Sequence, residues 1–143
     1  MEVLLNIFTI LFLMTLAVID MKERKIPCVV LSISFLIALL STVLVKHGIT
    51  TEQLCGMTIG FLFILISFVT RGQLGLGDGI TVVITGVVIG FWDNLLMVLY
   101  ALFAAGITAI ILIVFKRSNR KERIPFLPFL LLGYIVVLST KLL

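Results

Sequence analysis

Two carboxylates stand where a very apolar chain has little room for negative charge. Asp20 closes the apolar run Val3–Ile19 and opens the polar segment 20–27. Asp78 closes Gly75-Leu76-Gly77-Asp78, directly ahead of another apolar run. An ionisable side chain beside hydrocarbon is costly, so each marks a candidate functional position. Two carboxylates brought together across helices cannot both ionise cheaply and would share one proton. The ionised member could take a proton from a water while the protonated member polarises a carbonyl, which is the chemistry of an aspartyl protease dyad. Such a pair titrates as a unit, so the two roles stay open at this point.

Each aspartate also has a plainer reading. Aspartate is a good helix-starting residue, so Asp78 alone could cap the run that follows it. Asp20 alone could be an interfacial acid balanced by Lys22, Arg24 and Lys25. Taken jointly they differ from the other acids. Of the seven acidic residues, Glu23 and Glu122 sit in basic segments, while Glu2, Glu52 and Asp93 fall on the opposite side in the topology below. Only Asp20 and Asp78 combine a span boundary, a shared face and a conformationally special neighbour, Pro27 in one case and Gly75 and Gly77 in the other.

The elements that must position them are membrane helices. Of the 143 residues, 62% are hydrophobic and 13% charged, and the mean hydropathy is +1.33. No soluble core of this size could bury so much apolar side chain. A helical span needs roughly 20 apolar residues to cross about 30 Å of hydrocarbon. Six runs qualify or nearly so: Val3–Ile19, Val29–Val45, Leu54–Thr70, Gly79–Phe91, Leu95–Phe115 and Ile124–Thr140. The runs are continuous rather than alternating, which predicts an all-α polytopic bundle of about six transmembrane helices and not a barrel.

Charge sets the orientation. The segments after runs one, three and five hold Lys22, Arg24, Lys25, Arg71, Lys116, Arg117, Arg120, Lys121 and Arg123, against only Lys46 and Lys141 on the other side. Basic residues collect on the cytoplasmic side, so both termini are expected outside, with Asp20 and Asp78 at the cytoplasmic face of a plasma-membrane protein. The fourth run is short: about 20 Å of helix cannot cross alone. Gly72, Gly75, Gly77 and Gly79 precede or open it, which suggests that this stretch dips into the bilayer and carries Asp78 below the surface.

Other chemistry finds little support. The first run lacks a small-residue cleavage site and a basic amino end, so it reads as a retained span. Cys28 and Cys55 start runs on opposite sides and read as two ordinary buried cysteines without a bond between them. With no Cys-x-x-Cys pair, and the only histidine, His47, in an outer loop, neither a metal site nor a serine–histidine arrangement can be built. No Gly-Lys-Ser/Thr follows the glycines, so they are not a phosphate loop. Trp92, Tyr100 and Tyr134 fit interfacial anchors or bundle packing. No cofactor and no nucleic-acid partner is expected. The oligomeric state stays open, although Gly60 or Gly90 could face a second copy.

Asp20 with Ile26-Pro27, then Gly75-x-Gly77-Asp78, then Ile124-Pro125-Phe126-Leu127-Pro128-Phe129 ahead of Gly133 resembles the type IV prepilin peptidase family. These are the prokaryotic Gly-x-Gly-Asp intramembrane aspartyl proteases, and the resemblance covers nearly the whole chain. It implies that Asp20 and Asp78 are the two catalytic aspartates and that Gly75 and Gly77 are the motif glycines. It also implies a structural or substrate-facing role for the stretch from Pro125 through Pro128 to Phe129. Many bacterial members follow the second aspartate with Val-Lys-Leu, where this chain has Gly79-Ile80-Thr81, and Cys28 stands where Asn is frequent. The larger members carry an amino-terminal segment with paired Cys-x-x-Cys motifs linked to N-methylation. Residues 1–143 are instead expected to form a single transmembrane peptidase domain of the peptidase-only form. The resemblance thus implies a membrane aspartic endopeptidase that removes the class III-type leader of prepilin-like precursors, Flp/Tad-type or preflagellin-like, at the cytoplasmic face. The alternative is a non-catalytic channel or transporter subunit whose aspartates line an ion path. A degenerate family member acting as an assembly scaffold is a third reading.

Overall fold

Apolar runs separated by short polar breaks become six helices: α1 (Glu2–Glu23), α2 (Cys28–Lys46), α3 (Thr51–Val69), α4 (Leu76–Ile89), α5 (Phe91–Lys116) and α6 (Leu127–Leu142). The computed structural model describes residues 2–23, 26–46, 48, 50–70, 75–116 and 125–142. Arg24, Lys25, His47, Arg71, Gly72 and the segment 117–124, with Arg117, Arg120, Lys121, Glu122, Arg123 and Ile124, lie outside the described residues, and so do the expectations placed on them. The chain is an all-α membrane bundle. By length and composition α1, α2, α3 and α5 can each cross a bilayer, whereas α4 and α6 are shorter apolar helices.

The bundle is organised around the shortest helix. In α4, Gly79 and every residue from Thr81 to Val88 are buried. The helix packs most extensively on α3 and also touches α1, α2 and α5. Its sequence is rich in threonine, valine and isoleucine, which are mediocre helix formers in water. Enclosed in apolar surroundings, its backbone has no other way to satisfy its hydrogen bonds, and it is helical for that reason.

Glycines let α3 and α4 approach backbone to backbone. A Cβ on Gly56 would lie 2.6 Å from the Gly86 carbonyl oxygen, and one on Gly86 would strike the Gly56 carbonyl. A Cβ on Gly60 would collide with the backbone of Val83. The Gly60 face, one of two glycine faces that could have met a second copy, is therefore filled by α4 of the same chain. Asn94 locks this contact from α5. Fully buried, it donates through Nδ2 to the Gly56 and Val82 carbonyls at 3.0 and 3.1 Å, and accepts from Thr85 Oγ1 at 2.9 Å.

Helix α5 follows α4 after one residue, Gly90, whose φ of 88° lies in the region glycine favours. The fifth helix therefore starts four residues earlier than the run Leu95–Phe115 suggests. Gly133 lets α6 seat against the Met97 carbonyl of α5. The buried Tyr134 hydroxyl donates to Asn6 Oδ1 at 3.0 Å, so this tyrosine is bundle packing, while Trp92 and Tyr100 are exposed. At the end of the bundle remote from Asp78, Lys46 Nζ donates to the Val88 carbonyl at 3.2 Å, and Lys141 pairs with Asp93. A cation there complements the carboxyl end of α4.

Both cysteines are free, but they are exposed rather than buried. Cys28 opens α2, and Cys55 sits one residue from Gly56, about 100° around α3 from the face that meets α4. These packing relations make a contrast testable. Gly86→Val should lower the thermal unfolding temperature in detergent by several degrees, the scale of ~1–3 kcal/mol of overpacking. Gly106→Ala, where an added Cβ meets nothing within 4 Å, should leave it unchanged. Equal stability of the two variants would count against the close contact.

Candidate active site

Helix α1 runs past Ile19 to Glu23, so Asp20 projects from a continuous last turn and not from a loop. Its partner is the amino end of α6. Phe126 precedes that helix, and its carbonyl accepts from Phe129 and Leu130 N–H at 3.0 and 3.2 Å. Pro128 in the first turn has no N–H to leave unpaired, and Pro125 stands ahead of the helix start. The Leu127 N–H donates to Asp20 Oδ2 at 3.3 Å. Asp20 therefore serves as the acceptor that the start of α6 lacks within its own segment.

Asp78 lies in the first turn of α4, whose starting position is Gly75. Asp78 and Gly79 N–H bond the Gly75 carbonyl at 3.1 and 3.4 Å, and the Asp78 carboxyl folds back over Gly75. A Cβ on residue 75 would sit 2.9 Å from Asp78 Oδ2, so glycine is what leaves space for the carboxylate. Gly77 faces the Ile26 side chain, whose Cδ1 would be 2.8 Å from an added Cβ. Gly79 packs on Ile64 of α3, 3.0 Å from its backbone nitrogen by the same measure. The stretch expected to dip irregularly is thus helical from Leu76 onward, with Asp78 in the role of a helix-starting acid.

The two carboxylates come to the same end of the bundle and lie within electrostatic reach of each other. Both are half-buried. Around them, Ile26 approaches from the α1–α2 connection, and Pro27 accepts Val30 and Leu31 N–H at 3.1 and 3.4 Å, one position ahead of the first helical residue. Phe126 stacks on Phe63 of α3 with ring centroids 6.1 Å apart, which holds the start of α6 beside α3 and α4. An apolar cleft of about 210 Å³ opens between α1 and α2, lined by Phe8, Phe12, Leu16 and Val30 among others, and contains neither aspartate. Among the described residues no three His, Cys, Asp or Glu side chains gather in a way that could hold a metal ion.

The structure therefore unites Asp20, Asp78, Gly75, Gly77, Pro27, Pro125 and Pro128 near one end of the bundle. Leu127 and Phe126 belong to the stretch Pro125–Phe129 already marked in the sequence, and their contribution is made by backbone. The two prolines do signal a helix start, and a helix start needs acceptors, but nothing local names Asp20 as the acceptor.

The sequence pattern of the type IV leader peptidase family matches residues 7–113, a stretch that includes both aspartates and both motif glycines. No curated protein and no solved structure matches the chain.

The geometry predicts opposite effects of neutralising the two acids. Asp20→Ala leaves the Leu127 N–H without its acceptor and should cost about 1 kcal/mol, the usual loss for a helix cap. Asp78→Asn puts a neutral group of the same shape beside Asp20 where the pair otherwise shares one proton, and should leave thermal stability in detergent equal or higher. Destabilisation by Asp78→Asn alone would contradict the arrangement described.

Proposed function

Because the chain belongs to the type IV leader peptidase family, and is accordingly a multi-pass membrane peptidase of that kind, we propose that it is an aspartic endopeptidase acting through Asp20 and Asp78. The observation that carries this reading is the meeting of those two carboxylates at one end of the bundle, from helices far apart in sequence. The substrates would be prepilin-like precursors, of Flp/Tad or preflagellin type, whose short leader precedes an apolar helix. Cleavage would take place at the cytoplasmic face, where the basic segments of the sequence belong.

Chemistry at such a pair follows from shared protonation. A water held between the carboxyls attacks the scissile carbonyl carbon. Its proton passes to the ionised aspartate, and the protonated aspartate gives its own proton to the carbonyl oxygen. Collapse of the resulting diol breaks the C–N bond, returns a proton to the leaving amine and restores the starting charge of the pair. Glycine at position 75 is integral to this, since its missing side chain leaves the Asp78 carboxyl its place.

Co-expression with a prepilin-like precursor, followed by mass spectrometry of the precursor's amino terminus, tests the reading. Wild-type protein should remove the leader, and Asp20→Asn and Asp78→Asn should each leave it intact. Cleavage surviving either substitution would sink the dyad. The pH dependence of cleavage should be bell-shaped, because one proton too many or too few disables the pair; a flat profile would argue against it. Gly75→Ala should reduce cleavage by roughly tenfold or more through displacement of Asp78. Gly77→Ala should do much less, because the flexible tip of Ile26 can give way.

A further inference from the structure

The surroundings of the two carboxylates are unequal. Asp20 reaches the amino end of α6, where Leu127 N–H donates at 3.3 Å and the adjoining Phe126 N–H adds a favourable electrostatic contribution to the same carboxylate. Among the described residues neither N–H has another acceptor. Phe129 and Leu130 N–H are engaged by the Phe126 carbonyl, and Pro128 has no N–H. The first peptide units of a helix also carry partial positive charge, which favours an anion at this spot. Asp78 stands at a helix start too, but the nearest backbone to its carboxyl is that of Gly75 in its own turn, and it is the more deeply enclosed of the two. Donors to a charged oxygen form stronger hydrogen bonds than donors to a neutral one.

Among the described residues the other ionisable groups near Asp20 do not reverse this inequality. Helix α4 presents Asp78 itself, and α1 carries Lys22 and Glu23, both exposed. The start of α2 carries Cys28, and α6 holds nothing ionisable before Tyr134 among the described residues.

We propose that the amino end of α6 is the positioning element of the site, holding the negative charge on Asp20 through the Leu127 N–H group and the helix start around it. Asp20 is then the acceptor of the water proton, and Asp78 is the donor to the scissile carbonyl oxygen. This rests on the reading of the two aspartates as the catalytic pair and assigns the roles that the sequence leaves open.

The test removes one donor and keeps the side chain. In the full-length protein, the Leu127 residue is replaced by its α-hydroxy analogue, so that an ester oxygen stands where the N–H was. Cleavage of the same prepilin-like precursor is followed across pH, beside wild type, Asp20→Asn and Asp78→Asn. A carboxylate that has lost a donor holds its proton more tightly, so the acid limb of the profile should move upward by about one pH unit, a tenfold change in proton affinity. The rate at the optimum should fall at least about tenfold. Leu127→Pro, which also removes the N–H at a position where proline suits a helix, should repeat the shift, whereas Leu127→Ala, which keeps it, should not. A reduced rate with an unmoved acid limb in the ester and proline forms would make α6 a packing element only and overturn the proposal, while leaving the dyad standing if both Asn variants are inactive. Cleavage by either Asn variant would overturn the dyad and the proposal together.

Discussion

The contact on which the rest of the structure depends is the backbone-to-backbone seating of α4 on α3. A 14-residue helix enclosed by apolar neighbours can be held only where those neighbours come very close, and the glycines at 56, 60, 79 and 86 allow this. Close approach multiplies dispersion contacts and brings carbonyl groups within reach of one buried amide, that of Asn94. Because Asp78 is in the first turn of α4, its height and direction are inherited from this seating. The remaining helices wrap a position that α3 and α4 have already defined.

Helix ends are the second recurrent device. Asp20 satisfies the start of α6, Asp78 folds onto the start of its own helix, and Lys46 completes the finish of α4. In an apolar environment an unpaired backbone group is expensive, so each end attracts a polar side chain. Two of those side chains are the carboxylates proposed to carry the reaction. Their structural and chemical roles are thus compatible: the donors that steady a helix start are the same donors that favour an anion.

Much of this was legible in the residues. Continuous apolar runs gave six helices and their order, and the placement of Asp20 and Asp78 at the ends of runs pointed to one shared end. What was not legible is local in each case. Helix α5 starts at Phe91 because a single glycine with positive φ reverses the chain, and Trp92 and Asp93 look too polar to open a span. Asp20 falls within a helix and not after it, since the polar residues to Glu23 continue the same turn. The cysteines read as core because cysteine generally is, yet rotation about the helix axes turns both outward. The partner of Gly60 stayed open because sequence alone does not distinguish a second copy from a neighbour in the same chain.

The hydrogen bond between Asp20 and Leu127 spans 107 positions of sequence. A nascent chain that has threaded α1 through α4 into the bilayer already holds both carboxylates, yet the surface that receives Asp20 is still being synthesised. The site is closed by α6, which comes after the other five described helices in the sequence. The surroundings of Asp20 are therefore complete only once α6 has joined the helices that precede it.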